Sequence, residues 1–154
     1  HRGLETSLRW RPTTELEACL SLGLLRAELA GVVRDGTALP TRDAPHAPRW
    51  QFATHVAWQN SAGFHARLDF TGMDAFYFGN VPEGYRSRAY SLLGLQAGWR
   101  SEKLEAGIYV RNAMNRQYAV RGFSFGNEPP DFAEKLYTQL GDPREGGLTL
   151  RWRF

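Results

Sequence analysis

Cys19, His55 and His65 are the side chains in this 154-residue chain that most invite chemistry. A metal or haem site would need the two histidines to converge with a third donor, and nothing in the local sequence supplies one. Cys19 is the single cysteine, so an intrachain disulfide or a cysteine metal cluster is excluded. A redox thiol would need an activating base or partner. Beside Glu17 and Ser21, Cys19 reads instead as a small passive side chain. The motifs H-E-x-x-H, G-x-S-x-G and G-x-x-x-x-G-K are all missing, and "GFSFG" does not follow a phosphate-loop pattern. The sequence therefore predicts a protein that is not an enzyme and holds no metal or cofactor. Its function has to lie in the elements that carry its polar side chains.

Those elements have period two. Leu4, Thr6, Leu8 and Trp10 alternate with Glu5, Ser7 and Arg9 until Pro12 stops the run. The same alternation recurs over 16–24, 50–59, 64–71, 93–100, 104–111 and 148–154, and the fourth run continues in phase to Phe76 and Phe78. This predicts seven strands joined by connections that are alternately short and long. The "GLTLRWRF" ending puts Leu148, Leu150, Trp152 and Phe154 on one face and Thr149, Arg151 and Arg153 on the other.

Alternating short and long connections are the rhythm of an outer-membrane β-barrel, with short periplasmic turns and long extracellular loops. No run approaches the ~18 apolar residues of a membrane helix, but a tilted strand crosses in ~9–11. With the short turns periplasmic, the C-terminus is periplasmic too. Trp10, Trp58, Trp99 and Trp152 then lie near the periplasmic ends of downward strands, as an aromatic girdle does. Trp50, Phe76 and Phe78 are expected in the opposite girdle. The inward parity carries Glu5, Arg9, His55, Gln59, His65, Arg67, Asp69, Gln96, Glu105, Tyr109, Arg111, Arg151 and Arg153. They read either as a wall touching a plug or solute, or simply as a solvated interior, since barrel lumens are polar in general.

The formal charge of +3 is spread singly along the chain, which gives no nucleic-acid footprint. An odd strand number and edges that hydrocarbon would leave unpaired point to a fragment of a longer barrel.

Four segments carry a family resemblance. "YVRNAMNRQY" (109–118) resembles the Y-x-x-N-x-x-[DN]-[KR]-x-Y stretch before the last extracellular loop of TonB-dependent outer-membrane receptors. "GDPREGGLTLRWRF" is similar to their C-terminal G-x-P-R segment and Phe-ended strand, "RGLETSLRWRPTTEL" to their R-G-x-E hairpin, and "APRWQFATHVAW" to their A-P-x-x-x-F strand. The resemblance spans the chain in family order. It implies an all-β fold, an antiparallel meander forming part of a barrel of about 22 strands, with the plug, its TonB box and the upstream strands outside this chain. It also implies energised uptake of a scarce solute, above all a ferric siderophore, in a Gram-negative outer membrane. The implied partners are membrane lipid, the TonB complex acting through the plug, an iron chelate, and the barrel assembly machinery reading Leu148, Leu150, Trp152 and Phe154.

The alternatives are a passive porin or adhesin barrel and a soluble lipocalin-like binder, which would turn its apolar face inward. Solute contacts are placed by position alone in loops 30–48, 79–89 and 113–145. Within the last loop, Asp131 and Glu134 form a helix-capping pattern ahead of Leu136 and Leu140. The competing reading there is a strand pair projecting above the membrane.

Overall fold

The computed structural model describes residues 1–34, 36–79 and 85–154. Among the described residues there are thirteen strands: β1 (Arg2–Trp10), β2 (Leu16–Arg26), β3 (Glu28–Leu29), β4 (Val33–Arg34), β5 (Thr37–Ala38), β6 (Arg42–Asp43), β7 (Trp50–Gln59), β8 (Phe64–Met73), β9 (Tyr90–Arg100), β10 (Leu104–Arg111), β11 (Ala119–Phe125), β12 (Lys135–Leu140) and β13 (Glu145–Trp152). Seven form one antiparallel sheet in the order β1-β2-β7-β8-β9-β10-β13, each long strand beside the next in sequence. This is the predicted meander. The small strands pair among themselves as β3-β6, β4-β5 and β11-β12 and decorate the long connections.

Each short turn is closed by a small polar side chain that accepts from the backbone. Thr13 Oγ1 takes the Leu16 N–H at 3.1 Å, Asn60 Oδ1 the Phe64 N–H at 2.9 Å and Ser101 Oγ the Leu104 N–H at 3.0 Å. Gly63 is required in its turn: its φ is +89°, and a Cβ there would stand 2.0 Å from the Arg100 carbonyl oxygen.

The sheet has two faces and no core of its own. Leu4, Leu8, Leu20, Leu24, Val56, Leu68, Leu95 and Ile108 remain exposed on the apolar parity. Among the described residues, the buried apolar side chains are Ala27, Phe76 and Phe78, all at the long-connection end. Phe76 and Phe78 meet edge to face at 5.6 Å, His46 lies 5.4 Å from Phe76, and Phe78 packs on Gly122 of β11. Ser87 fastens the cluster, its Oγ accepting from the Phe76 N–H and its own N–H donating to the Phe76 carbonyl. Three long connections therefore share one small core.

Three expectations change, and one open choice is decided. β8 stops at Met73, because Asp74 makes the last ladder bond, to the Trp50 carbonyl, and its carboxylate then turns back onto the Ala75 N–H. Phe76 and Phe78 are thus loop-core residues and not an upper girdle. Trp50, half-buried and stacked on Phe52 at 6.0 Å, is left without them. The Asp131/Glu134 pattern caps no helix: Glu134 accepts from Ser124 Oγ at 2.6 Å across the β11-β12 hairpin, which is the projecting strand pair. Finally, β13 ends at Trp152, although the Arg153 N–H still reaches the Lys103 carbonyl at 2.9 Å. Residues 80–84 of the second loop lie outside the described residues.

Candidate functional site: the polar face and the loop end

Register decides which polar side chains meet. Arg9 pairs with Cys19, Cys19 with His55 and His55 with Asp69, so one row crosses four strands. Two positions nearer the short turns, Glu17 pairs with Ala57, Ala57 with Arg67, Arg67 with Gln96 and Gln96 with Tyr109. The resulting cluster is ionic. Arg11 grips Glu17, His55 Nε2 lies 3.6 Å from Glu17 Oε1, and Arg67 embraces both oxygens of Asp69 at 2.7–3.0 Å.

A second cluster centres on Glu105, with Arg100, Arg151 and Arg153 at 2.7, 3.5 and 3.6 Å. Arg111 lies over the Tyr109 ring at 5.3 Å. Exposed pairs of this kind add little stability. Their value is a hydrated, charged surface on one side of the sheet.

His55 and His65 are not brought together. His65 faces Gln59, four residues beyond His55, which separates them by ~13 Å along the strand. His55 instead finds Glu17 and Cys19. That grouping was hidden from the sequence because β2 and β7 are joined by a long connection that leaves their register unspecified.

The tryptophans follow a simple rule of register. Trp10 is level in the ladder with Ala18 and Val56, and Trp58 lies two residues beyond Val56. Trp58 is level with Ala66 and Ala97, and Trp99 lies two beyond. Trp99 is level with Ala106 and Leu150, and Trp152 lies two beyond. Two strands, two residues, three times over: a line through the indoles steps one residue per strand. With ~3.4 Å per residue and ~4.8 Å between strands, that line crosses the strands at a slope of ~35°, the tilt of a closed barrel. Trp99 also donates its indole N–H to the Ala62 carbonyl of the neighbouring short turn at 2.9 Å.

At the other end the loops roof the polar face. Tyr118 packs against Tyr90 at a tilt of 33°, ring centroids 4.5 Å apart, and with Glu5, Ser21, Gln51, Thr71 and Tyr90 lines a hollow of about 730 Å³. On the β11-β12 hairpin, Phe125 stacks on Phe123 and on Tyr137 at 5.8 and 4.7 Å. Glu128 receives Lys135 and the Tyr137 hydroxyl, and Lys135 first, then Tyr137, holds its carboxyl below the usual range.

Two asparagines from "YVRNAMNRQY" clasp the neck of this last loop. Asn112, buried at φ +45°, donates from Nδ2 to the carbonyls of Arg116 and Asp142 at 2.9 and 3.0 Å and accepts the Arg116 N–H on Oδ1 at 2.9 Å. Asn115, also in the left-handed region, accepts the Arg144 N–H at 3.2 Å. Gly141 completes the clasp, because a Cβ there would sit 2.1 Å from the Tyr118 ring. Asn112→Ala should cost the loop ~2–4 kcal/mol through backbone strain and unsatisfied carbonyls. The expected result is faster proteolysis within 113–144 while the barrel stays heat-modifiable. Unchanged cleavage would show that the clasp holds nothing.

No family model matches the sequence. Among solved structures, the chain is similar to the ferric yersiniabactin uptake receptor FyuA from Yersinia pestis (20% identity, TM-score 0.75), covering 99% of this chain and 23% of that one. It is also similar to the siderophore receptor PiuA from Acinetobacter baumannii (14% identity, TM-score 0.76; 97% and 21%). A third is the ferric-catecholate import receptor Fiu from K12 E. coli (16% identity, TM-score 0.69; 96% and 20%). The chain spans about a fifth of the length of each, and it has the fold of one stretch of a siderophore-receptor β-barrel.

Proposed function

We propose that this chain is the C-terminal part of the barrel wall of a TonB-dependent receptor that takes up a ferric siderophore across a Gram-negative outer membrane. The observation that carries this is the match of nearly the whole chain, loops included, to three siderophore receptors of which it covers only a fifth. The apolar face meets lipid, and the tryptophan line lies at the periplasmic headgroup boundary. The ionic face, with Arg9, His55, His65, Arg67, Asp69, Tyr109, Arg111 and Arg151, lines the lumen against a plug from elsewhere in the protein.

The test is uptake. Iron-starved cells carrying the full-length receptor should accumulate radiolabelled iron presented as its siderophore, and should stop when either the receptor gene or tonB is deleted. Uptake that persists without TonB favours a passive porin. In the same cells, a tag within 123–135 should be labelled from outside and a tag at Ser61 should not. The reverse pattern would refute the orientation.

A further inference from the structure

Transport leaves one set of donors on the ionic face unused. Glu17 and Cys19 are two residues apart on β2, so both side chains leave the same face, and His55 is the cross-strand partner of Cys19 on β7. Glu17 Oε1 lies 3.6 Å from His55 Nε2 and 3.8 Å from Cys19 Sγ, and all three donor atoms fall within 4.8 Å of one another. Donors on a tetrahedral zinc ion stand ~3.3–3.8 Å apart, because bonds of ~2.0–2.3 Å meet near the tetrahedral angle. Both donor pairs that include Glu17 already stand at or near that spacing, and Cys19 and His55 need approach by no more than about 1 Å from a separation within 4.8 Å.

We propose that Glu17, Cys19 and His55 bind a zinc ion on the inner face of the wall, with the fourth position open towards the lumen. The inference rests on the fold of the wall and does not depend on which solute is carried. A thiolate with an imidazole selects zinc over magnesium or calcium, which prefer sets made of oxygen. The second oxygen of Glu17 is held by Arg11, the outer hydrogen bond that orients a ligating carboxylate. Arg67 is hydrogen-bonded to Asp69, which leaves the oxygens of Glu17 to Arg11 and the cation. Arg9, the other cross-strand neighbour of Cys19, is exposed and can swing into solvent as the cation enters. Binding forms a zinc–sulfur bond, releases the thiol proton to water and changes no oxidation state.

The test uses the full-length receptor in detergent, stripped by a chelator. Cobalt(II) should bind with a thiolate-to-cobalt charge-transfer band that zinc abolishes on displacing it, and that Cys19→Ser lacks. His55→Ala and Glu17→Gln should weaken zinc binding by roughly 10- to 100-fold, while His65→Ala, on the same face but outside the triangle, should leave it unchanged. Zinc, and not magnesium, should also protect the peptide containing Cys19 from alkylation in the unmodified sequence. That readout needs no variant to fold. Cobalt binding without the band, zinc affinity indifferent to Cys19→Ser, or alkylation unaffected by zinc would each overturn the proposal.

Discussion

Leu95→Arg should destabilise the full-length barrel by ~2–4 kcal/mol in phospholipid vesicles, the cost of an arginine facing lipid at the bilayer midplane. The depth follows from the tryptophan line. Leu95 is four residues above Trp99 on β9, and a strand tilted ~35° climbs ~2.8 Å per residue, which places Leu95 ~11 Å up an apolar band ~25 Å tall. Its cross-strand neighbours are Leu68 and Val110, so no partner awaits the guanidinium. Gln96→Arg moves the same charge one residue along and to the other face, where Arg67 is already engaged by Asp69 and water is at hand. It should cost far less. Chemical denaturation of both variants checks the difference, and equal costs would mean that the apolar face does not meet lipid.

Phe154→Ala should deplete the receptor from the outer membrane without weakening the wall once it is built. Phe154 lies beyond the last paired residue and is fully exposed, so the β10-β13 ladder ending at Trp152, with the Arg153 bond to Lys103, survives its loss. Within this sheet β13 pairs with β10. In strand addition the backbone supplies affinity and alternate side chains supply specificity, so the face of Leu148, Leu150, Trp152 and Phe154 is the one an assembly machinery would read. Arg153→Gln removes one of three arginines around Glu105 and should change little. Heat-modifiable barrel in outer-membrane fractions measures both. Normal levels of Phe154→Ala with failure of Arg153→Gln would place the signal on the opposite face.

Alternation sufficed for the seven long strands because each needs only a local period. Within each short hairpin the turn brings consecutive strands together, as where Trp10 faces Ala18. Across long connections nothing local sets the register, and for that reason the Cys19–His55 pairing was invisible. Phe76 and Phe78 misled for a related reason: they keep the phase of β8, but a single aspartate at 74 ends the ladder before them. The tiny paired strands between 28 and 43 left no period to detect. The asparagines of "YVRNAMNRQY" were legible as a pattern, yet their purpose needed coordinates, since Asn112 acts on a carbonyl 30 residues away.

The one-residue step between neighbouring strands also sets a bore. In a barrel of about 22 strands, the number the family resemblance implies, a tilt of ~35° would close the wall at a backbone-to-backbone width of ~40 Å, wide enough to admit small folded proteins. Such an opening would discriminate against almost nothing by size. The permeability barrier of a cell displaying this wall then depends on whatever fills the hollow staying seated.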